Sequence, residues 1–228
     1  MSGPRPPGEA RHVMFDLDGT LVDTRAAVEA CYARVFDRHL TIPFPPPDLP
    51  ADLFAMRPRE VFGLVAPGEA DRLYDAYSEA YPDCAAFVQV FSGAAELIAG
   101  LRAAGRAPSL VTNKGKERTL IDLSVAGIDP ADLAAIVTAE DTVERKPDPA
   151  PLLLGLARAG AGPDEAVYVG DGPQDIEAAR AAGLACVAVS YGFYRSETLA
   201  ALHPAALVDD VPALAAALSV TLRQGSAA

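Results

Sequence analysis

Outside residues 24–91, short apolar runs alternate with segments of helical spacing. Runs typical of buried strands lie at 12–17, 108–112, 135–138, 166–170, 184–189 and 206–208. Between them, helical spacing bounded by Gly or Pro predicts helices at 93–104, 116–126, 149–159, 173–182 and 211–218. Strands that alternate with helices in this way favour a parallel sheet with right-handed crossovers. The pattern therefore predicts an α/β fold, with a Rossmann-like parallel sheet and helices on both of its faces.

Residues 24–91 have a different pattern, with helical segments at 26–36, 51–65 and 68–82 and no convincing alternating strand. A proline-rich run at 43–47 separates the first two of these segments. We therefore predict an inserted α-helical cap domain over 24–91, joined to a core domain formed by 12–23 and 92–222. The tails, residues 1–11 and 223–228, are predicted to be disordered.

Composition narrows the classes of function. Half of the 228 residues are hydrophobic and the net charge is −12, so the chain offers no basic surface for nucleic acid. Three cysteines, far apart and without a Cys-x-x-Cys pair, are expected to be reduced and buried. No secretory signal and no apolar stretch of membrane length is found, so we expect a cytoplasmic protein without a membrane partner.

Polar residues follow four of the predicted strands, where each strand ends. These candidate site residues are Asp16, Asp18, Thr112, Lys146, Asp171 and Asp175. Because the carboxyl ends of parallel strands meet at one edge of a sheet, we expect these side chains to converge. Four clustered carboxylates with one lysine require a cation, and oxygen ligands favour Mg²⁺ over zinc.

These segments resemble, in order and context, the motifs of the haloacid dehalogenase superfamily, and specifically its helical-capped, phosphoglycolate phosphatase-like branch. The matching segments are Asp16-Leu17-Asp18-Gly19-Thr20, Thr112-Asn113, Lys146-Pro147 and Gly170-Asp171-x-x-x-Asp175. The resemblance covers almost the whole chain beyond residue 11.

The resemblance implies a role for each motif residue. Asp16 is the nucleophile that forms an aspartyl-phosphate, and Asp18 protonates the leaving group and then activates water. Thr112 hydrogen-bonds the phosphoryl oxygens, and Lys146 holds the charge of the nucleophile and the phosphate. The Mg²⁺ ligands are expected among Asp16, Asp18, Asp171 and Asp175.

Four further residues are candidates for binding the substrate or its phosphate. Backbone amides after the first strand, at Leu17, can form a concavity for phosphoryl oxygens. Asn113 is a positioning residue or lies at the mouth of the site, as does the neighbouring Lys114. Arg57 and Arg59 replace the Gly-containing specificity loop of many capped relatives and could clamp an anionic group.

One further departure from the resemblance is Gly172, which stands where many relatives have Ser or Thr after the metal-binding aspartate.

The resemblance leads to a Mg²⁺-dependent phosphatase for a small phosphorylated metabolite. A sugar phosphomutase similar to β-phosphoglucomutase and a pyrophosphatase of the same fold stay open as alternatives. A catalytically silent binding protein is the non-enzyme alternative. The chain is expected to act as a monomer or a homodimer.

Overall fold

A computed structural model describes residues 6–40, 42–46 and 56–222 of the chain. These residues form two compact units. One unit contains the described residues up to Asp23 together with those from Val90 onwards, and the other is Thr24–Gln89.

The larger unit contains a six-stranded sheet with helices packed on it. The sheet strands are β1 His12–Phe15, β4 Ala107–Val111, β5 Ile136–Val137, β6 Ala166–Gly170, β7 Ala185–Val189 and β8 Ala206–Val208. The helices are α4 Ala94–Ala103, α5 Lys116–Val125, α6 Ala150–Ala159, α7 Pro173–Ala181, α8 Ser196–Ala200 and α9 Val211–Ala217. A separate pair of short strands is formed by β2 Val22–Asp23 and β3 Gln89–Val90.

The sheet is parallel throughout, in the order β5-β4-β1-β6-β7-β8. Strand β1 is central, and its last residue, Phe15, lies opposite Leu110 of β4 and Val169 of β6. The ends of these three strands therefore lie side by side. Every residue of β1, β6 and β7 is buried, as expected for parallel strands covered on both faces.

Side chains alternate between the two faces of the sheet. On one face Met14 and Tyr168 join residues of α6 and α7, such as Leu152 and Ile176, in a continuous apolar cluster. Val13, the residue before Met14, points to the other face of the sheet. Helix α4 packs against β4, and α9 packs against β8. The predicted α/β fold with helices on both faces is confirmed.

Most predicted elements of this unit lie within two residues of the observed ones, but one tail prediction is wrong. Residues 6–11 were expected to be disordered, whereas the Arg11 amide donates to the Glu165 carbonyl at 2.9 Å. The Arg106 guanidinium also donates to the Pro7 carbonyl at 3.0 Å. The remaining tail residues, 1–5 and 223–228, lie outside the described part of the chain.

The smaller unit is helical, with α1 Arg25–Val35, a π-helical turn Phe36–Leu40, α2 Pro58–Val65 and α3 Ala70–Cys84. Its core is aromatic: Tyr32 stacks on Phe44 at 5.2 Å between ring centroids and contacts Tyr77 at 5.1 Å. A helix was predicted over 51–65, but residues 51–55 lie outside the described part of the chain. Strand β3 was not predicted. None of the described helices has the length and apolar character needed to span a membrane.

The loop from β5 to α6, which carries Lys146, is tied down by Asp141. One Asp141 oxygen accepts from the amide of Thr138 at 2.7 Å and from its hydroxyl at 2.9 Å. The other accepts from Arg158 on α6 at 2.6 Å, and Arg158 also donates to the Ile136 carbonyl at 2.7 Å. The hydrogen bond from Arg158, together with those from Thr138, lowers the pKa of Asp141 to about 2.

We predict that Asp141→Asn lowers the free energy of unfolding by about 1 kcal/mol at pH 7, the net worth of such hydrogen bonds at a partly exposed site. Because the folded-state pKa is depressed, this contribution is present above about pH 4, the pKa of an unfolded Asp, and is lost as the pH falls towards 2. Urea unfolding at pH 7 and at pH 3 measures the difference. Asp164→Asn, at an exposed position, is the control. A wild-type advantage that grows on acidification would contradict this account.

Candidate active site

Asp16 is the first residue after the central strand β1. Its amide donates to the Val169 carbonyl at 2.9 Å, which continues the strand pairing and fixes the carboxylate at the sheet edge. The chain then turns tightly, because the amides of Leu21 and Val22 return to the Leu17 carbonyl at 2.9 and 3.2 Å. Leu17 itself is fully buried, so its side chain belongs to the core.

Lys146 connects Asp16 to helix α7. Its ammonium lies 2.9 Å from Asp16 Oδ1 and 2.7 Å from Asp175 Oδ1, and it donates to the Tyr168 hydroxyl at 2.7 Å. The ammonium thus hydrogen-bonds to Asp175 and Tyr168 and forms an ion pair with Asp16. The Tyr168 hydroxyl in turn donates to the Val111 carbonyl at 2.8 Å. The lysine is therefore held in one position by two strands and a helix.

Asn113 fixes the backbone of Lys146. Its side-chain amide donates to the Lys146 carbonyl and its oxygen accepts from the Lys146 amide, each at 3.1 Å. The Thr112 hydroxyl accepts from the Lys114 amide at 3.1 Å. Asn113 therefore makes contacts that position Lys146. From the sequence, Asn113 was either a positioning residue or a residue at the mouth of the site.

Three carboxylates converge beside Lys146. Asp16, Asp171 and Asp175 each offer an oxygen, and these oxygens lie within 4.8 Å of one another, all on buried residues. Burial raises the pKa of Asp16 to about 7, with Asp175 and Asp18 adding to the effect and Lys146 opposing it. Burial, followed by repulsion from Asp175 and Asp16, raises the pKa of Asp171 well above its usual range. So much buried negative charge calls for a cation.

The donor set fits the Mg²⁺ expected for these residues. The cluster offers carboxylate oxygens, the ligands that hard cations prefer, and it contains no histidine or cysteine within the described chain. Asp175 is the least available of the three, because one of its oxygens faces Lys146 and the other accepts from the Gly172 amide at 2.9 Å.

Asp18 lies apart from this cluster. Its carboxylate, about a quarter exposed, pairs with the Lys114 ammonium at 2.8 Å. The same ammonium forms a short ion pair with Asp122, a fully buried residue of α5. Burial alone would lower the pKa of Lys114, but Asp18 and Asp122 together raise it. Lys114 is therefore a charged lysine between two aspartates.

The segment after β7 also contacts Asp171, a contact that was not predicted from the sequence. The Phe193 amide donates to Asp171 Oδ2 at 2.7 Å, and the Tyr191 hydroxyl donates to the Thr20 carbonyl at 3.0 Å. A Cβ on Gly192 would lie 2.4 Å from Asp171 Oδ2. The rule that polar groups gather at carboxyl ends of strands applies to β7 as well, and could have indicated this segment.

Arg57 and Arg59 belong to the helical unit and have local partners there. The Arg57 amide donates to the Glu60 carboxylate at 3.2 Å, and Arg59 lies 3.0 Å from Asp71 Oδ1. The Arg59 guanidinium also lies over the Tyr74 ring, 4.9 Å from its centroid. An anion clamp formed by these two arginines stays a prediction.

Comparison with known proteins agrees with this geometry. The model of the haloacid dehalogenase-like hydrolase family matches residues 13–189. The chain belongs to this family.

Several curated relatives resemble the chain over most of its length. It is 34% identical over 217 residues to a phosphoglycolate phosphatase of Rhodospirillum rubrum, covering 89% of this chain and 88% of the relative. It is 30% identical over 219 residues to a phosphoglycolate phosphatase of Pseudomonas putida, covering 90% and 78%. The pyrophosphatase PpaX of Bacillus velezensis is 31% identical over 203 residues, covering 84% and 88%.

Two solved structures share the fold of this chain. CbbY from Rhodobacter sphaeroides superposes with a TM-score of 0.80 at 22% identity, covering 92% of this chain and 99% of that one. A predicted phosphoglycolate phosphatase from Haemophilus somnus gives 0.77 at 23% identity, covering 90% and 96%. The family resemblance inferred from the four motifs is confirmed, while the role of each residue stays a prediction.

The turn after Asp18 depends on Gly19. Its φ is +75°, a conformation that favours glycine, and a Cβ there would lie 2.2 Å from Asp171 Oδ2. Gly105 has nearly the same φ, +72°, but beyond its chain neighbours a Cβ there would meet no atom of the described residues within 4 Å. Comparing alanine variants at these two glycines therefore distinguishes the effect of backbone strain from the effect of a collision with Asp171.

We predict that Gly19→Ala and Gly105→Ala each lose about 1 kcal/mol of stability through backbone strain. Only Gly19→Ala should also lose activity, by roughly a hundredfold or more, because its Cβ displaces Asp171. Thermal unfolding and Mg²⁺-dependent hydrolysis of 4-nitrophenyl phosphate measure the two effects. Equal activity in both variants would show that Asp171 tolerates the displacement.

Proposed function

We propose that the chain is a Mg²⁺-dependent phosphatase that hydrolyses a small phosphorylated metabolite through an aspartyl-phosphate on Asp16. The observation that best supports this function is the arrangement around Asp16. Its carboxylate is fixed by a buried lysine at 2.9 Å and shares a cluster with two further buried carboxylates. This arrangement suits a carboxylate nucleophile attacking an anionic group.

In the first step the Asp16 carboxylate attacks phosphorus, and the bond from phosphorus to the leaving oxygen breaks. Asp18 gives its proton to that oxygen as it departs. In the second step water adds to phosphorus, Asp18 takes its proton, and the bond to Asp16 breaks to release inorganic phosphate. One carboxylate thus acts first as acid and then as base.

The other buried groups of the site stabilise charge and bind the phosphoryl group. Lys146 neutralises charge on Asp16 and on the phosphoryl group, and it is held by Asp175 and Tyr168. The Thr112 hydroxyl accepts from the Lys114 amide and keeps its own proton for a phosphoryl oxygen. Of the predicted ligands Asp16, Asp18, Asp171 and Asp175, Asp16 and Asp171 are the best placed to hold Mg²⁺. When bound there, Mg²⁺ would supply the charge that keeps Asp16 ionised.

The relatives indicate the substrate class. Two proteins that resemble most of this chain are named phosphoglycolate phosphatases, and a third is named a pyrophosphatase. We therefore expect a small anionic phosphate ester, with inorganic pyrophosphate as the second candidate. Release of inorganic phosphate from 2-phosphoglycolate, pyrophosphate and hexose phosphates separates these activities from a phosphomutase, which returns a phosphorylated product.

We predict that Asp16→Asn folds normally and loses turnover by at least 10³-fold, because the amide cannot form the covalent intermediate. Asp209→Asn is a matched control, since Asp209 is exposed and also directly follows a strand of the same sheet. Phosphate release in the presence of Mg²⁺ is the measurement. Turnover of Asp16→Asn within tenfold of wild type would exclude the covalent route through this residue.

We also predict that chelation with EDTA silences the wild-type protein reversibly, and that zinc does not restore the full rate. Mg²⁺ should raise the melting temperature of the wild type, since it binds the folded cluster, and should have little effect on Asp171→Ala. Full activity after exhaustive chelation, or an equal melting shift in both proteins, would be incompatible with a cation at this cluster.

A further inference from the structure

Two lysines flank the motif that carries Asp16 and Asp18, and they make parallel contacts. Lys146 bridges Asp16 and Asp175, which lies in the first turn of α7. Lys114 bridges Asp18 and Asp122, which lies in α5. Each motif aspartate therefore has a lysine of its own, and each lysine has a second, helix-borne aspartate as its anchor.

The anchor of Lys114 is rigid. Asp122 is fully buried within α5, and only 5% of the Lys114 side chain is exposed. The Lys114 backbone is fixed as well, because its amide donates to the Thr112 hydroxyl and its carbonyl accepts from the Ala139 amide at 2.9 Å. A buried ion pair is costly to desolvate and adds little net stability, so its retention is better explained by a need for a fixed position.

The ammonium of Lys114 is directed to Asp18 by this anchor. Asp18, with 26% of its side chain exposed, is the accessible member of the trio. A lysine used to bind substrate would leave donors turned to the open site, whereas Lys114 is nearly inaccessible and directed at two carboxylates. The contact therefore serves Asp18.

We propose that Lys114, anchored by Asp122, is a positioning residue that holds the Asp18 carboxylate beside Asp16 and outside the cluster of Asp16, Asp171 and Asp175. This inference rests on the proposed phosphatase function. Without Lys114, the Asp18 side chain would be free to turn to solvent or towards a cation bound at the neighbouring cluster. Lys114 therefore supports the proton transfers made by Asp18 and does not bind phosphate.

The two chemical steps depend on Asp18 to different degrees. With 4-nitrophenyl phosphate, the leaving nitrophenolate needs no proton, so formation of the phosphoenzyme is largely independent of Asp18. Hydrolysis of the phosphoenzyme still requires a base, because water must lose a proton as its oxygen bonds to phosphorus. Loss of Lys114 should therefore slow the second step alone.

The experiment compares Lys114→Met with Lys116→Met, an exposed lysine two residues further on. Stopped-flow kinetics with 4-nitrophenyl phosphate and Mg²⁺ give the burst rate for the first step and the steady-state rate for the second. For Lys114→Met we expect a burst rate within threefold of wild type, a steady-state rate lower by about a hundredfold, and an unchanged inhibition constant for inorganic phosphate. Lys116→Met should match the wild type in all three.

A double variant, Lys114→Met with Asp122→Asn, provides the second test. The double variant removes both charges of the Lys114–Asp122 ion pair, so no buried aspartate is left without its lysine. It can therefore be measured even if Lys114→Met alone does not fold. Because the two residues act as a unit, the double variant should have the same kinetic pattern and no larger loss than Lys114→Met.

Two results would overturn the proposal. If the inhibition constant for phosphate rises tenfold or more and the burst slows in parallel, Lys114 binds the phosphoryl group. If burst and steady-state rates both equal those of wild type in a folded variant, Lys114 does not position Asp18. Failure of the wild type itself to turn over 4-nitrophenyl phosphate with Mg²⁺ would instead reject the proposed function, and this inference with it.

Discussion

The structure of the larger unit depends on the burial of like charges at one edge of a parallel sheet. Asp16, Asp171 and Asp175 lie within one cluster, and Lys146 is the cation held against Asp16 and Asp175. Burial and repulsion between the carboxylates raise the pKa of Asp16 and of Asp171. A carboxylate nucleophile must be ionised to attack phosphorus. The same burial that makes the cluster unfavourable without a cation would favour a divalent cation there, and under the proposed function it links the chemistry to metal binding.

The order of the strands in the sheet brings these charged residues together. Because β1 lies between β4 and β6, with β7 next to β6, segments distant in the sequence leave the sheet side by side. Backbone contacts then hold the side chains: Asn113 fixes Lys146, and Phe193 fixes Asp171. Buried pairs to α5 and α7 keep the two lysines in place, so the positions of Asp16 and Asp18 are set by the packing of helices on the sheet.

The sequence predicted the parallel sheet well, because buried strands and Gly-bounded helices are local signals. The convergence of Asp16, Lys146, Asp171 and Asp175 was predictable for the same reason, since one rule about strand ends places them together. The pairing of Lys114 with Asp122, and the contact of Phe193 with Asp171, depend on how helices and loops pack, which no local pattern encodes. The order of residues 6–11 was missed because it comes from distant partners, Glu165 and Arg106.

Transfer of the phosphoryl group to Asp16 itself is tested most directly by acid quenching of the protein during turnover of 4-nitrophenyl phosphate with Mg²⁺, followed by peptide mass spectrometry. Asp18→Asn is the protein to use, because it should form the phosphoenzyme and hydrolyse it slowly. The account predicts a phosphoryl mass increase on the peptide that contains Asp16, absent when Asp16 is replaced by Asn. A phosphoryl group on any other residue, or turnover without a trapped adduct in Asp18→Asn, would contradict it.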